Sequence, residues 1–351
     1  MSRVWQLVPF LESRDAIGDH ARHVAAALGA DHAGFVVQRA APELRGGALS
    51  YGEARPGPGD VLVYHAAHAS PLAAWLAGTG CRVVLDYHGI TPPASLRVYD
   101  PGLAVALAGA QDELAGLASR VEVAVAHSAF MEGELRAAGF ERTAVLPLLL
   151  DGARLTAAVN EQRAASLAAT KRGHDLLAVS RLAPNKRIED VIKAFAVYRR
   201  AYDPQARLFI VGRPDVATYA AALHRFVEQL GVEDVHFAGR VSLGDLAAHY
   251  RAADALVSMS EHEGFGLPLL EAMAFGLPVL ACRAAAVPET VADGGILFSD
   301  RCPEEVAALL DAVLRDPELV AALGEAGRDR AAAFGPEPFA AQTRELFAGL
   351  G

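Results

Sequence analysis

Lysine is nearly missing from this chain of 351 residues: Lys171, Lys186 and Lys193 are the only three among 32 basic residues. Arginine is the default cation here, so each lysine is mildly informative. Cysteine is equally scarce. Cys81, Cys282 and Cys302 are odd in number and lack paired spacing, which suggests neither a disulfide framework nor a zinc site and fits a reducing cytosol. The opening residues run through Val8 and Pro9 into Glu12, Arg14 and Asp15, unlike the basic and then apolar order of a secretory leader. No apolar stretch reaches the ~18 residues of a spanning helix; those around Leu103 to Ala110 and Ala272 to Cys282 stop well short, so no transmembrane segment is expected. Positive charge is also in deficit. With 42 acidic residues against 32 basic ones the net charge is −10, which argues against a general binder of nucleic acid or anionic membrane and makes any phosphate site local.

What is present is an ordinary globular composition, 52% hydrophobic and 21% charged, in a chain longer than the ~250 to 300 residues at which one core stops growing. Short runs rich in Val, Ile and Leu alternate with stretches of helical period, the pattern of parallel sheets with crossover helices. The class is therefore α/β, with two doubly wound, Rossmann-like halves. Strands are expected from Val4 to Val8, Gly34 to Val37, Val61 to Tyr64, Val83 to Tyr87, Val121 to Ala126 and Thr143 to Leu148. A second set runs Leu176 to Ser180, Arg207 to Val211, Val235 to Ala238, Ala255 to Met259, Pro278 to Ala281 and Gly295 to Phe298. The expected division is 1–165, 166–335 and a last helix, 336–351, returning toward the first domain. A central cleft between the halves is the expected ligand site, because open α/β sheets bind ligands beyond their strands' carboxyl ends.

Two stretches carry chemistry. In Ser260-Glu261-His262-Glu263-Gly264-Phe265-Gly266-Leu267-Pro268-Leu269-Leu270-Glu271, Pro268 suits a first helical position and Gly276 the position past the end, so a helix from about Pro268 to Phe275 is expected. Glycines just before it let backbone amides approach an anion at the positive end of the helix dipole. Glu263 and Glu271 flank this cradle and suit a ligand with hydroxyls at both ends, such as a nucleotide sugar. The plainer reading makes Glu271 a first-turn dipole partner worth about 0.3 to 1 kcal/mol and Glu263 a solvated loop acid. In Ser180-Arg181-Leu182-Ala183-Pro184-Asn185-Lys186-Arg187, Arg181 falls at a strand end while Lys186 and Arg187 precede a helix, where the dipole disfavours cations unless an anion is near. Arg181 and Lys186 could meet the charge of a departing diphosphate. Asp-x-Asp occurs nowhere, which removes the simplest manganese site.

These residues, with His236 to Val241 and Ala286 to Thr290, resemble glycosyltransferase family 4, retaining enzymes of the GT-B fold. The resemblance spans nearly the whole chain, is strongest from Leu176 to Phe298, and is weaker before residue 80. It implies that Arg181 and Lys186 hold the donor diphosphate. Glu263 then lies near the transferred sugar, with Gly264, Phe265, Gly266 and Leu267 around sugar and phosphate. Glu271 falls on the ribose, and Arg240 with Val241 beside the base. His88, in Asp86-Tyr87-His88-Gly89-Ile90, is similar to the family's strand-end histidine facing the reacting sugar; the bland alternative is a partly buried histidine tied to backbone. His65 and His68 also follow a strand and are candidates for the acceptor side, although a plain structural role is the favoured reading of both. The family's diglycine loop after the first strand is reduced here to Gly18, read as the close-approach position, with Asp15 as an acceptor-hydroxyl contact.

The expected function is transfer of a hexosyl group from a nucleoside-diphosphate sugar to a hydroxyl of a glycan, lipid-linked or small-molecule acceptor, with retention and no metal cofactor. The expected location is cytoplasmic, with peripheral membrane contact and oligomeric state left open. A non-catalytic nucleotide-sugar-binding subunit is the main alternative. A nicotinamide-dependent dehydrogenase is the lesser one, disfavoured because no Gly-x-Gly-x-x-Gly occurs.

Overall fold

The computed structural model describes residues 3–12 and 15–350. They divide into two compact units. The first comprises Met1–Pro93, Gly102–Leu149 and Pro336–Gly351, and the second Ala94–Pro101 and Leu150–Gly335. Residues 150–165, which the sequence suggested as the end of the first domain, thus cluster with the second unit. Backbone bonds hold them there: Leu150 N–H donates to Phe334 O and Asn160 N–H to Gly244 O.

The first unit carries a parallel sheet of seven strands: β1 (Val4–Leu11), β2 (His32–Ala40), β3 (Ala48–Ser50), β4 (Val61–Ala66), β5 (Arg82–Tyr87), β6 (Val123–Ala126) and β7 (Thr143–Val145). Their spatial order is β3-β2-β1-β4-β5-β6-β7. In the second unit β8 (Asp175–Val179), β9 (Arg207–Val211), β10 (Val235–Gly239), β11 (Ala255–Ser258), β12 (Val279–Cys282) and β13 (Ile296–Phe298) are ordered β10-β9-β8-β11-β12-β13, again all parallel. Each sheet grows outward in both directions from its first strand. That order creates a switch point between β1 and β4 and another between β8 and β11, where diverging loops leave room for a ligand.

The strands β1, β4, β5, β6, β8, β9, β11 and β12 are buried nearly throughout, as apolar runs require where a sheet is covered on both faces, while the outer strands are partly exposed. Only β3 was not foreseen, since three residues at a sheet edge are too few to show a period. The helix Ala16–Leu28 starts at Asp15, whose side chain accepts from Gly18 N–H at 2.8 Å. The last helix, Pro336–Ala348, packs on Ala16–Leu28, and Phe339 and Leu350 enter one core with Val4, Val24, Val61 and Val123. In the second unit Gly212 follows β9 so closely against β8 that a Cβ there would lie 1.7 Å from Ser180 O. Nothing larger than glycine fits without moving the strand end that presents Arg181.

Candidate active site

The switch point of the second sheet gathers the residues that the sequence singled out. Beyond β8, a turn at Pro184–Lys186 is followed by Arg187, in the left-handed region at φ 53°, and by the helix Ile188–Ala201. This turn swings Lys186 inward and Arg187 outward. Arg187 is satisfied locally, by Asp190 at 2.8 Å and Glu189 at 3.3 Å, so its position ahead of the helix needs no outside anion. Lys186 instead pairs with Glu263 on the loop after β11, Nζ to Oε2 at 2.7 Å, with side chains only 10% and 15% exposed. Ser260 Oγ donates to the other carboxylate oxygen of Glu263 at 2.7 Å. Burial pushes Glu263 up, but the Lys186 ammonium, the Ser260 hydroxyl and Arg181 outweigh it and hold the carboxyl below its ordinary value. Burial lowers Lys186, with Glu263 opposing. Glu263 is thus a paired, buried anion rather than a solvated loop acid.

Asn185 ties the two loops together. Its Nδ2 donates to His262 O at 3.1 Å, and its own carbonyl accepts from Glu261 N–H at 2.9 Å. Arg181, about half exposed, reaches Asp215 at 2.9 Å. Gly266, at φ 92°, ends the loop in a conformation that suits glycine and starts the helix Leu267–Ala274 with Pro268 inside its first turn. Phe265 packs edge-on against Phe334 and closes the floor of the loop. Glu271 falls in the second turn, not the first, so a dipole partnership is not its role. Tyr250 Oη donates to Glu271 Oε2 at 2.7 Å, and burial raises the carboxyl despite that bond. Arg240 is exposed and Val241 half-buried in the loop after β10, an edge strand two places from β8. Asn185, Ser260 and Tyr250 were missed in the sequence, because a supporting hydrogen bond leaves no mark in spacing.

In the first unit the expectations change more. Asp15 is a helix cap: its two oxygens accept from Gly18 N–H and Glu12 N–H, so it is not a free contact for an acceptor hydroxyl. Gly18 is small because a Cβ would lie 2.6 Å from Asp15 Oδ2, which makes its close approach internal. His68 is half-buried, stacked on Phe10 at 5.0 Å, and lowered by burial. His65 is fully buried and cannot touch an acceptor as it stands.

His65 belongs to a cluster that was not foreseen as one, formed with His20, Asp86, His88 and His127. His20 Nε2 lies 2.9 Å from Asp86 Oδ2. His65 Nε2 meets Gln6 Oε1 at 2.6 Å, His65 Nδ1 meets His88 Nε2 at 2.9 Å, His88 Nδ1 meets His127 Nε2 at 3.1 Å, and His127 Nδ1 meets Leu146 O at 2.9 Å. His88, with a side chain 6% exposed, therefore has both ring nitrogens engaged internally, against its expected role facing a sugar. Asp86 with His20 and His127, or with His65 and His88, brings three ligand-type atoms within 4.8 Å of one another. The ring contacts of 2.9 and 3.1 Å have hydrogen-bond geometry, so these rings form a hydrogen-bond network.

Residues 159–330, about half the chain, match the family model described as glycosyl transferases group 1. A D-inositol 3-phosphate glycosyltransferase of Geodermatophilus obscurus is 32% identical over 284 residues, 77% of this chain and 63% of that protein. D-inositol 3-phosphate glycosyltransferase 2 of Catenulispora acidiphila is 34% identical over 181 residues, 49% of this chain and 42% of that protein. The matches thus span less than two thirds of these relatives' length. Anabaena HepE, solved with UDP and glucose, superposes with a TM-score of 0.78 at 19% identity, covering 99% of this chain and 100% of that one. Sucrose-phosphate synthase of Thermosynechococcus elongatus gives 0.77 at 18% identity, covering 100% and 99%. The fold is GT-B, two parallel-sheet α/β units.

Proposed function

We propose that this chain is a retaining glycosyltransferase that takes a hexosyl group from a nucleoside-diphosphate sugar, a reading supported by the match of residues 159–330 to the glycosyl transferases group 1 model. The observation that carries this reading is the buried Lys186–Glu263 pair at the β8/β11 switch point, directly ahead of the Gly264–Gly266 loop and its helix start. A buried ion pair contributes little net stability against an apolar alternative, so its presence at a sheet switch point favours use of the charges.

In this reading the diphosphate lies between Lys186, Arg181 and the amides opening the helix Leu267–Ala274. As the sugar bond breaks, negative charge grows on the leaving phosphate, and Lys186 and Arg181 stabilise it in place of a metal. Glu263, fixed by Ser260, orients the transferred sugar. Glu271 receives the ribose hydroxyls on the oxygen that Tyr250 leaves to it. No carboxylate of the first unit is placed as a nucleophile in this scheme; the acceptor hydroxyl attacks on the face from which the phosphate departs and passes its proton to that phosphate.

Replacing Tyr250 by phenylalanine should weaken donor binding about tenfold, the size of one hydrogen bond to a charged group, and raise the Glu271 carboxyl further. Calorimetry with the donor would measure it. Anabaena HepE was solved with UDP and glucose, so uridine nucleotides are the first ligands to try. A thermal-shift panel of UDP-, GDP- and ADP-sugars tests the proposal: at least one should raise the unfolding temperature, and none doing so would refute it.

A non-catalytic nucleotide-sugar-binding protein is the second reading, and the internal engagement of both His88 nitrogens favours it. Slow release of free sugar from the donor, measured without acceptor, separates the two: a catalyst hydrolyses, a binder does not.

A further inference from the structure

Asp86 lies at the carboxyl end of β5 with a side chain 3% exposed, and its ion-pair partners among the described residues are four imidazoles: His20 at 2.9 Å, His127 at 3.2 Å, His65 at 3.5 Å and His88 at 3.8 Å. The contacts between rings need no proton beyond those of neutral imidazoles. Gln6 Nε2 is buried without a partner, and turning that amide end for end lets it donate to His65 Nε2. His65 Nδ1 then donates to His88 Nε2, His88 Nδ1 to His127 Nε2, and His127 Nδ1 to Leu146 O. What stays unsatisfied is the carboxylate. Its Oδ2 accepts from His20, but its Oδ1 is buried without a hydrogen-bond partner. His127 Nε2 stands 3.2 Å from Asp86 Oδ1. Because Leu146 O only accepts, the neutral His127 ring carries its proton on Nδ1, and Nε2 presents a lone pair. A buried carboxylate oxygen thus faces a ring lone pair with no positive centre to serve both.

We propose that His20, Asp86 and His127 form a binding site for one first-row transition dication of the zinc class, held by His20 Nε2, His127 Nε2 and the Asp86 carboxylate. One ligand atom from each of these buried residues lies within 4.8 Å of the other two. Regular elements present all three: the helix Ala16–Leu28 carries His20, β5 carries Asp86, and His127 directly follows β6. Two imidazoles and a carboxylate are donors that suit zinc and its neighbours, whereas magnesium and calcium take oxygen alone. The Leu146 carbonyl is the outer partner that a metal-bound imidazole usually has, and it fixes the ring with Nε2 free.

On loading, His20 shifts its ring proton from Nε2 to Nδ1, which is buried and has no other partner, so no proton need leave the site. His127 Nε2 cannot serve the ion and accept from His88 Nδ1 at once. Loading therefore releases one of the two His88 nitrogens that the ring network holds. Acid opposes such a site because the rings must be unprotonated to bind, so metal release and ring protonation destabilise the first unit in the same direction. The ion lies within the first unit and takes no part in holding the diphosphate, which makes it independent of the proposed function.

The experiment is elemental analysis of the full chain, expressed with zinc in the medium and purified without a polyhistidine tag. About one equivalent of transition metal per chain is expected. Stripping it with a chelator should lower the unfolding temperature, and zinc should restore it. Cobalt in its place should give a visible d–d spectrum without thiolate charge transfer, since no cysteine is a ligand. His20→Ala and His127→Ala should each lose the metal, whereas His224→Ala, exposed on the helix Ala217–Leu230 of the second unit, should keep it. Less than about half an equivalent in the folded, unaltered protein would overturn the proposal, and that outcome needs no variant to fold. A full equivalent retained by folded His127→Ala protein, or a thiolate band with cobalt, would overturn it as well. Donor binding by the metal-free protein, read by thermal shift, tests the proposed function separately, so the two failures are distinguishable.

Discussion

With Lys186 replaced by alanine, turnover should fall by roughly two to three orders of magnitude, the usual effect of removing one pre-positioned charge stabiliser from a transition state. Donor affinity should fall with it. The geometry adds a second effect that sequence alone did not suggest. Lys186 is buried against Glu263 at 2.7 Å, so its loss leaves a carboxylate in a low-dielectric site with Ser260 as its remaining short contact. Breaking such a pair typically costs about 3 to 5 kcal/mol, so the unfolding temperature should drop too. The double variant Lys186→Ala with Glu263→Gln removes the stranded charge. It should regain most of the lost stability while remaining inactive. Thermal unfolding and calorimetry with the donor on all three variants separate the two effects. Normal donor binding by a folded Lys186→Ala protein would remove Lys186 from the diphosphate site.

Acidification from pH 7 toward pH 4 should destabilise the first unit steeply. Burial holds His65 and His127 at about 4, whereas in the unfolded chain each titrates near 6.5. Below 6.5 the unfolded chain binds protons that the folded chain refuses. The stability present above that point is therefore lost as the pH falls toward 4. A difference of about 2.5 pH units corresponds to roughly 3 kcal/mol for each ring, before the coupling between them. Asp86, held well below its ordinary value by the imidazoles against the opposing effect of burial, adds a loss of the same sign at still lower pH. Denaturant unfolding followed by a probe in the first unit, at half-unit steps from pH 7 to pH 4.5, would show it. A flat profile would mean that the cluster opens to water without cost.

The sheets were legible because buried parallel strands are written as apolar runs, and twelve of the thirteen strands fall on such runs. The donor side was legible for a related reason. Glycines, a helix-starting proline and misplaced cations are constrained by backbone geometry, and backbone geometry is local. Glu263 and Lys186 could be named, but not that they touch, because their contact crosses 77 residues of chain. The histidine cluster of the first unit was hidden on the same ground. His20, His65, His88 and His127 are spread over more than a hundred residues and meet only because β1, β4, β5 and β6 are neighbours in the sheet. Read singly, His65 and His88 looked like ligand contacts or bland core residues, and His20 and His127 drew no reading. Asp15 was not read as a cap because a helix cap and a substrate contact ask for the same side chain, and only the bond to Gly18 N–H reveals the cap.

Phe339 and Leu350 sit in the same apolar core as Val4 and Val24. On the ribosome, the first unit's sheet can therefore pair early, but one wall stays open until residues 336–350, which follow the whole second unit, have been translated. A nascent chain stalled anywhere between residues 150 and 335 would present that uncovered wall to chaperones, and a protease cut that released the helix Pro336–Ala348 would return the folded unit to the same unsealed state.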